Sequence, residues 1–229
     1  MLDAIVYGLA HSWPVIGAIA FFLLALLGMG LIAPHNKLPG RGNAPLPMKS
    51  LGKMPILQVE LARNRNDLEM VLAPGNLERN IQDARIGNNL DTFLFIPSYA
   101  GLLISLGLIL ARGDERWRTM LLLVALVAVP LAAVCDWTEN SGIAKVLDKL
   151  DHHAQLQDSD ATRTSTPSFI KWTTLAYVLL VYGAAAFRGL GWKHGALAVL
   201  AVLGVGLGAE LVFMLIKYLQ ERIHGSINP

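Results

Sequence analysis

Residues 93–137 read FLFIPSYAGLLISLGLILARGDERWRTMLLLVALVAVPLAAVCDW, and this stretch decides the fold. It consists of two apolar runs, Phe93 to Ala111 and Trp117 to Trp137, on either side of the charged link Arg112 to Arg116. Each run has about 20 residues, which as a helix crosses about 30 Å of hydrocarbon. Because the link is so short, the two helices must form an antiparallel membrane hairpin.

Three further apolar runs have the same length and character, and they cover residues 13–33, 169–187 and 195–216. The chain is 54% hydrophobic and 16% charged, a composition typical of membrane proteins. The first run is also a signal-peptide candidate, but Asp3 and the lack of any preceding Lys or Arg favour a retained helix. We therefore predict an all-α fold, an integral membrane bundle of five transmembrane helices forming a single membrane domain over residues 1–229.

The distribution of basic residues predicts the orientation of this bundle. Five spans place the termini on opposite sides, and the loops on the N-terminal side carry 5 of the 19 Lys and Arg residues, against 14 on the other. The positive-inside rule then puts the N-terminus outside and the C-terminus in the cytoplasm. All five tryptophans fall at or beside the ends of the runs, where their rings suit a lipid interface. The lipid bilayer is the first expected partner, and other membrane subunits are candidates.

Several function classes are disfavoured by composition and motifs. A net charge of +2 without a long basic run argues against nucleic acid as a partner. The single Cys135 cannot form an internal disulfide or a paired thiol site. Asp151-His152-His153 offers metal-ligand types, but adjacent histidines point about 100° apart on a helix, so we predict no metal site there. The sequence contains no serine-hydrolase, zinc-hydrolase, P-loop or dinucleotide motif and indicates no cofactor.

The inner segment over residues 55–90 has a different pattern from the spans. Apolar residues recur from Ile56 to Leu72 among charged neighbours, which predicts an amphipathic helix. Pro74-Gly75 breaks the pattern, and Asn76 can cap a second helix with a narrower apolar face. We expect both helices on the inner membrane surface or against the other inner loop. They form either a packing collar over the bundle or an entrance lid or partner-docking surface.

A group of acidic residues near the inner face is the candidate functional site. Asp91 and Asp136 lie 23 and 22 residues from the hairpin turn at residue 114, so they should share one depth on neighbouring helices. Asp136, Glu139 and Asn140 have the spacing i, i+3, i+4 and share one helix face. Carboxylates cost about 2.5–3.5 kcal/mol near the centre of a membrane helix on insertion scales, so each one suggests a function.

Three other residues extend this prediction. Glu210 follows three alternating glycines that permit close helix contact, and Lys171 could pair with Glu210 or with Asp136. Paired kinks at Pro97 and Pro130 could open a small cavity beside Tyr99. The candidate ligand- or ion-binding residues are therefore Asp91, Tyr99, Asp136, Glu139, Asn140, Lys171 and Glu210. The cluster could be a structural ion-pair network, a site for a ligand, cation or proton, or an acid/base catalyst.

Three motifs carry a resemblance to known sequences: Glu60-Leu-Ala62, the stretch from Leu90 to Phe95 with Tyr99, and Asp136-Trp-Thr-Glu-Asn140. From about residue 55 to 147 the chain resembles a group of uncharacterised bacterial multi-pass membrane proteins. The resemblance implies that Asp91, Tyr99, Asp136, Glu139 and Asn140 belong to one site in a cell inner membrane protein. It implies no activity.

A weaker similarity is to the glutathione- and eicosanoid-metabolising membrane proteins. Those proteins have an Arg, an Asn and an acid at the start of their second helix, and Arg85, Asn89 and Asp91 depart from their spacing by a residue. Their four spans also differ from the predicted five.

The sequence thus predicts a membrane protein with an acid cluster and no nucleophile motif. Our leading hypothesis is an accessory subunit of a membrane assembly whose cluster binds a cation, a ligand, a basic side chain or a lipid headgroup. The first alternative is a proton- or cation-coupled transporter, which Glu210 motivates. The second is a membrane enzyme acting on a lipid or quinone-like substrate, with Asp91 or Glu139 as general base.

Overall fold

The computed structural model describes residues 2–35, 59–72, 77–113, 115–190 and Ile216. Its described part is helical and contains no strand, so the all-helical prediction is confirmed there. The helices are α1 (Leu2–Ile32), α2 (Arg65–Leu72), α3 (Leu77–Leu90), α4 (Ile96–Gly113), α5 (Glu115–Leu123), α6 (Val129–Asp151) and α7 (Asp158–Leu190). The predicted fifth span at 195–216 and its Glu210 lie outside the described residues, Ile216 excepted.

Four helical stretches are long and apolar enough to span a membrane: Trp13–Ile32, Ile81–Arg112, Trp117–Asp151 and Asp158–Ala186. They contain most or all of the first four predicted runs. Ile81–Arg112 and Asp158–Ala186 begin earlier in the chain than the sequence predicts, and Trp117–Asp151 ends later. These three helices therefore project beyond the apolar runs at the same side.

Two π-helical segments interrupt the spans. Asp91–Phe95 joins α3 to α4, and Val124–Ala128 joins α5 to α6. Each segment contains the residue four positions before a proline, Pro97 in one case and Pro130 in the other. A proline cannot donate to that carbonyl and its ring clashes with it, and the wider π turn accommodates the misfit. The irregularities predicted at these prolines are thus π turns, and the first one begins at Asp91.

Helix α1 packs antiparallel to α4 through small residues. The ring of Phe21 lies so close to Gly101 that a methyl group there would overlap it, and Gly28 faces the backbone of Phe95 at a distance that a methyl group would fill in ordinary contact. Close backbone approach at small residues is the usual way in which membrane helices associate. The remaining faces of α1 expose large apolar side chains from Trp13 onward, as a lipid-facing helix would.

The inner segment does not form the single amphipathic helix predicted over 56–72. Helix ends after Glu60, and α2 begins only at Arg65. The Asp67 N–H donates to the Asn64 side chain (3.0 Å), while the Asp67 carboxylate accepts the backbone N–H of Arg63 (2.9 Å). These two bonds cap α2 and stop the preceding turn, because they satisfy donors that a continuous helix would use itself.

The inner segment is also more buried than a helix on the membrane surface would be. Val59, Ala62 and Leu68 are buried, and they pack with the inner ends of α6 and α7 in one hydrophobic cluster. The segment therefore covers the end of the bundle and brings Glu60 inside it. This arrangement matches the collar interpretation in its packing.

The connection between α6 and α7 is shorter than the sequence predicts. Proline is typical of the first turn of a helix, and Pro167 just before the run 169–187 therefore predicts a helix start there. Helix α7 instead begins at Asp158, and Pro167 lies inside it. The Asp160 carboxylate accepts the Gln157 N–H (2.8 Å) and pairs with the Lys149 ammonium at 2.7 Å. The helix therefore starts at this cap and not at Pro167, because the Asp160 carboxylate satisfies a free donor and fixes α7 to α6.

At the other end of the bundle, α4, α5 and α7 pack together through apolar side chains, and the only hydroxyl among the buried members is that of Tyr182. We call this group of side chains the Tyr182 cluster, and its buried members are Ala111, Leu121, Val124, Val129, Val178, Tyr182 and Ala185. Gly107 of α4 lies so close to the Tyr182 hydroxyl and the Ala125 methyl group that a side chain there would overlap both.

Candidate functional site

The ammonium group of Lys171 on α7 lies among three carboxylates from two other parts of the chain. Its Nζ is 2.8 Å from Glu139 Oε2 and 2.9 Å from Asp136 Oδ1, both on α6. The third carboxylate belongs to Glu60 of the inner segment, with Oε2 at 3.4 Å. We call these four residues the Lys171 cluster. It joins α6, α7 and the inner segment at one point.

The Lys171 cluster is closed to solvent. Lys171 is 3% exposed and Glu139 is 0% exposed, and the other two acids are also buried. Three carboxylates and one ammonium give a formal charge of −2 if all four ionise. Moving a charge out of water costs several kcal/mol, which only close pairing and hydrogen bonds offset. An excess of buried negative charge is therefore the main electrostatic feature of the site.

Two of the three carboxylates are well supported by hydrogen bonds. The Tyr99 hydroxyl of α4 donates to Asp136 Oδ2 at 2.8 Å. The Trp172 indole N–H donates to Glu60 Oε2 at 2.9 Å, and the Ser168 hydroxyl donates to the same oxygen at 3.4 Å. Hydrogen bonds of this kind stabilise the ionised form of a carboxylate. Asp136 and Glu60 thus each have at least one hydrogen-bond donor besides Lys171.

Glu139 differs from its neighbours. Its Oε2 lies 2.8 Å from the Lys171 ammonium, but among the described residues no other donor reaches Oε2 and none reaches Oε1. A fully buried carboxylate oxygen without a donor is rare, because nothing replaces the water that it loses. Glu139 is the group in the cluster for which the ionised state is least supported.

A second network lies next to the cluster, at the start of the second span. The Asn140 side-chain amide donates to Asp91 Oδ2 (2.7 Å) and to Thr92 Oγ1 (3.0 Å), which joins α6 to the first π-helical segment. The Asn88 amide donates in turn to the Asn140 backbone carbonyl (3.1 Å). Because Asp91 opens the π turn, the altered helix geometry there positions its carboxylate towards Asn140.

The structure thus brings together six of the seven predicted site residues, in two adjoining networks. Asp136, Glu139, Tyr99 and Lys171 belong to the first, and Asp91 and Asn140 belong to the second. Two other basic residues of the same part of the chain pair with acids outside these networks. Arg85 bridges Asp148 and Asp151, and Arg63 pairs with Asp67.

Sequence reasoning missed Glu60 as a site residue. It was assigned to a surface helix, where an acid would face water, although the Glu60-Leu-Ala62 motif was among those that carried the resemblance. Its burial depends on the helix break between Glu60 and the start of α2 and on the fold of the whole inner segment. A buried Lys171 opposite two acids on one helix face was the available signal that a further residue would complete the site.

Among the described residues, no group of three or more His, Cys, Asp or Glu side chains is arranged to hold a metal ion. In the Lys171 cluster an ammonium lies among the carboxylates, at the place where a bound cation would have to sit.

No protein-family model, no curated protein and no solved structure matches this chain.

Proposed function

We propose that this chain is a multi-pass membrane protein that binds a proton in the Lys171 cluster. The observation that carries the proposal is Glu139, a fully buried carboxylate for which the described residues offer no donor besides the shared Lys171 ammonium, in a group with a formal excess of two negative charges. One proton on Glu139 removes half of that excess. A proton is also the only cation that the cluster can bind without any additional space.

The same geometry makes the other ligands less suitable. A metal ion or a basic group of a partner would have to displace the Lys171 ammonium from three carboxylates. A lipid headgroup or substrate would need an opening, whereas all four side chains of the cluster are buried. Catalysis with Glu139 as general base would require a substrate within hydrogen-bond reach of it. Proton binding requires none of these changes.

Around this site we propose the full arrangement predicted from sequence. The fifth span at 195–216 completes a bundle in the cell inner membrane, with the N-terminus outside and the C-terminus in the cytoplasm. A proton bound among buried ionisable groups is a common element of proton-coupled transport, and Glu210 of the fifth span is the candidate for a second proton-binding group.

The proposal is tested by infrared spectroscopy of the full chain in lipid nanodiscs. At neutral pH we expect a protonated carboxylic-acid C=O band that is absent from the Glu139→Gln variant. The matched control is Glu69→Gln, which removes a solvent-accessible glutamate from α2 and should leave the band unchanged. A spectrum in which Glu139→Gln retains the whole band would contradict the proposal.

A second candidate function is that of an accessory subunit in a membrane assembly. It is favoured by α1, which packs on α4 along one face and exposes large apolar side chains on its other faces from Trp13 onward. Mild solubilisation of native membranes should then recover a partner subunit in fixed stoichiometry. Recovery of the chain with lipid alone would argue against this candidate.

A further inference from the structure

A small cavity lies between α3 and α6, outside the Lys171 cluster. Its volume is about 190 Å³. The residues that line it are Arg85, Asn88, Asn89, Ala144, Leu147 and Asp148. Drug-sized ligands occupy pockets of about 300–1,000 Å³, so this cavity has the scale of a single polar headgroup.

The cavity has charges of both signs on facing helices. Arg85 of α3 and Asp148 of α6 meet across it, with Nη2 of Arg85 2.7 Å from Asp148 Oδ1. A second contact runs from the same Nη2 to Asp151 at 3.0 Å. In these ion pairs with described residues Arg85 uses one of its three nitrogens. Among the described residues, these ion pairs use neither the other N–H groups of the guanidinium nor the second oxygen of Asp148, so a ligand with complementary charges could bond to them.

The charged residues of the cavity lie near the ends of two candidate membrane spans. Arg85 is near the start of the candidate span Ile81–Arg112, and Asp148 is near the end of the candidate span Trp117–Asp151, so both lie at the same membrane face. Trp137 lies on the same face of α6 as Ala144, since the two residues are seven positions apart. Its indole ring is 44% exposed and donates to the Thr92 carbonyl. An exposed tryptophan in such a position is typical of the lipid interface.

From these observations we propose that the cavity binds a phosphoethanolamine group, the zwitterionic headgroup of a membrane phospholipid. Arg85 donates to the phosphate oxygens, and Asp148 accepts from the primary ammonium. The amides of Asn88 and Asn89 supply further polar contacts, while Ala144 and Leu147 form the apolar wall. A choline headgroup lacks N–H donors for Asp148, and a glycerol headgroup lacks the cation, so both should bind less tightly.

The test is native mass spectrometry of the full chain titrated with phospholipids of identical acyl chains. We expect phosphatidylethanolamine to bind about tenfold more tightly than phosphatidylcholine or phosphatidylglycerol. Arg85→Gln and Asp148→Asn should each remove this preference. The matched control is Lys145→Gln, which removes an exposed charge from α6 beside the cavity lining and should leave the preference intact.

Two further measurements make the result decisive. Arg85→Lys keeps a cation at this position and should retain part of the preference if Arg85→Gln fails to fold. Free phosphoethanolamine distinguishes the source of the ligand, because binding as tight as that of the lipid would assign the site to a soluble zwitterion. A preference that survives both Arg85→Gln and Asp148→Asn would overturn the proposal, as would equal binding of all three lipids. Glu139→Gln should not alter the preference, so this proposal and proton binding fail independently.

Discussion

The Tyr182 cluster and the Lys171 cluster each bury a side-chain oxygen that accepts or donates no hydrogen bond among the described residues, the hydroxyl of Tyr182 in the first and Oε1 of Glu139 in the second. The Tyr182 hydroxyl is neutral and lies among apolar side chains, where it fills the space left by Gly107. Glu139 lies beside an ammonium and two further carboxylates. One group is isolated from other charges, and the other is surrounded by them.

This difference determines what each cluster depends on. Burying a hydroxyl without a partner costs about 1–3 kcal/mol by mutational measures, which close packing can offset. A buried carboxylate costs several kcal/mol and requires a counter-charge or a proton. The Tyr182 cluster should therefore respond to changes of volume, and the Lys171 cluster to changes of charge.

The largest effect is expected from Lys171→Met, which keeps the length of the side chain and removes its charge. Three buried carboxylates then lose their shared partner, and we expect the free energy of unfolding to fall by about 3–5 kcal/mol. Reversible unfolding of the full chain in mixed detergent micelles measures this loss. The matched control is Lys145→Met on the exposed face of α6, which should change stability little.

A compensating variant sharpens that prediction. Adding Glu139→Gln and Asp136→Asn to Lys171→Met removes two of the unpaired charges and should restore part of the lost stability. If Lys171→Met were no less stable than Lys145→Met, the cluster would not depend on charge pairing, and the contrast with the Tyr182 cluster would fail.

A smaller loss is expected from Gly107→Ala in the apolar cluster. The added methyl group would lie 2.6 Å from the Ala125 methyl group and closer still to the Tyr182 hydroxyl. Overpacking of this kind costs about 1–3 kcal/mol, which the better helix propensity of alanine only partly offsets. Thermal unfolding measures the effect, and Gly30→Ala is the control because that site has open space around it. Equal stability of the two variants would show that α4 can move away from α7 without loss.

The positions of the helices were predictable from local sequence patterns. The exceptions arise where contacts between residues far apart in the chain determine a helix boundary. Apolar runs locate four helices because crossing a membrane depends on the composition of about 20 consecutive residues. The start of α7 could not be predicted in this way. It depends on Asp160 capping the helix while pairing with Lys149 of α6, and that contact exists only after the two helices have packed.

The same distinction holds within the site. Counting residues from the hairpin turn placed Asp91 and Asp136 at similar depth, and helix spacing placed Glu139 beside Asp136, because helical geometry is regular. Glu60 lies in the cluster because the helix breaks after it and the following loop is buried. A single sequence offers no rule that predicts such a break as regular helix geometry predicts the other positions. Hydrogen bonding also divides the acids into two networks, since Asn140 donates to Asp91 while Tyr99 donates to Asp136.

The smallest effect, and the only expected gain, is from Tyr182→Phe. This change removes a buried hydroxyl that has no described partner and keeps the ring in place, so we expect the free energy of unfolding to rise by about 1 kcal/mol. Tyr177→Phe on the same helix is the control, because its exposed ring should make that change nearly neutral. Combined with Gly107→Ala, Tyr182→Phe should also reduce the cost of the added methyl group, which a double-mutant cycle measures. A loss of stability in Tyr182→Phe would mean that the hydroxyl is bonded in the folded protein, for example to a buried water, and that both clusters depend on their polar groups.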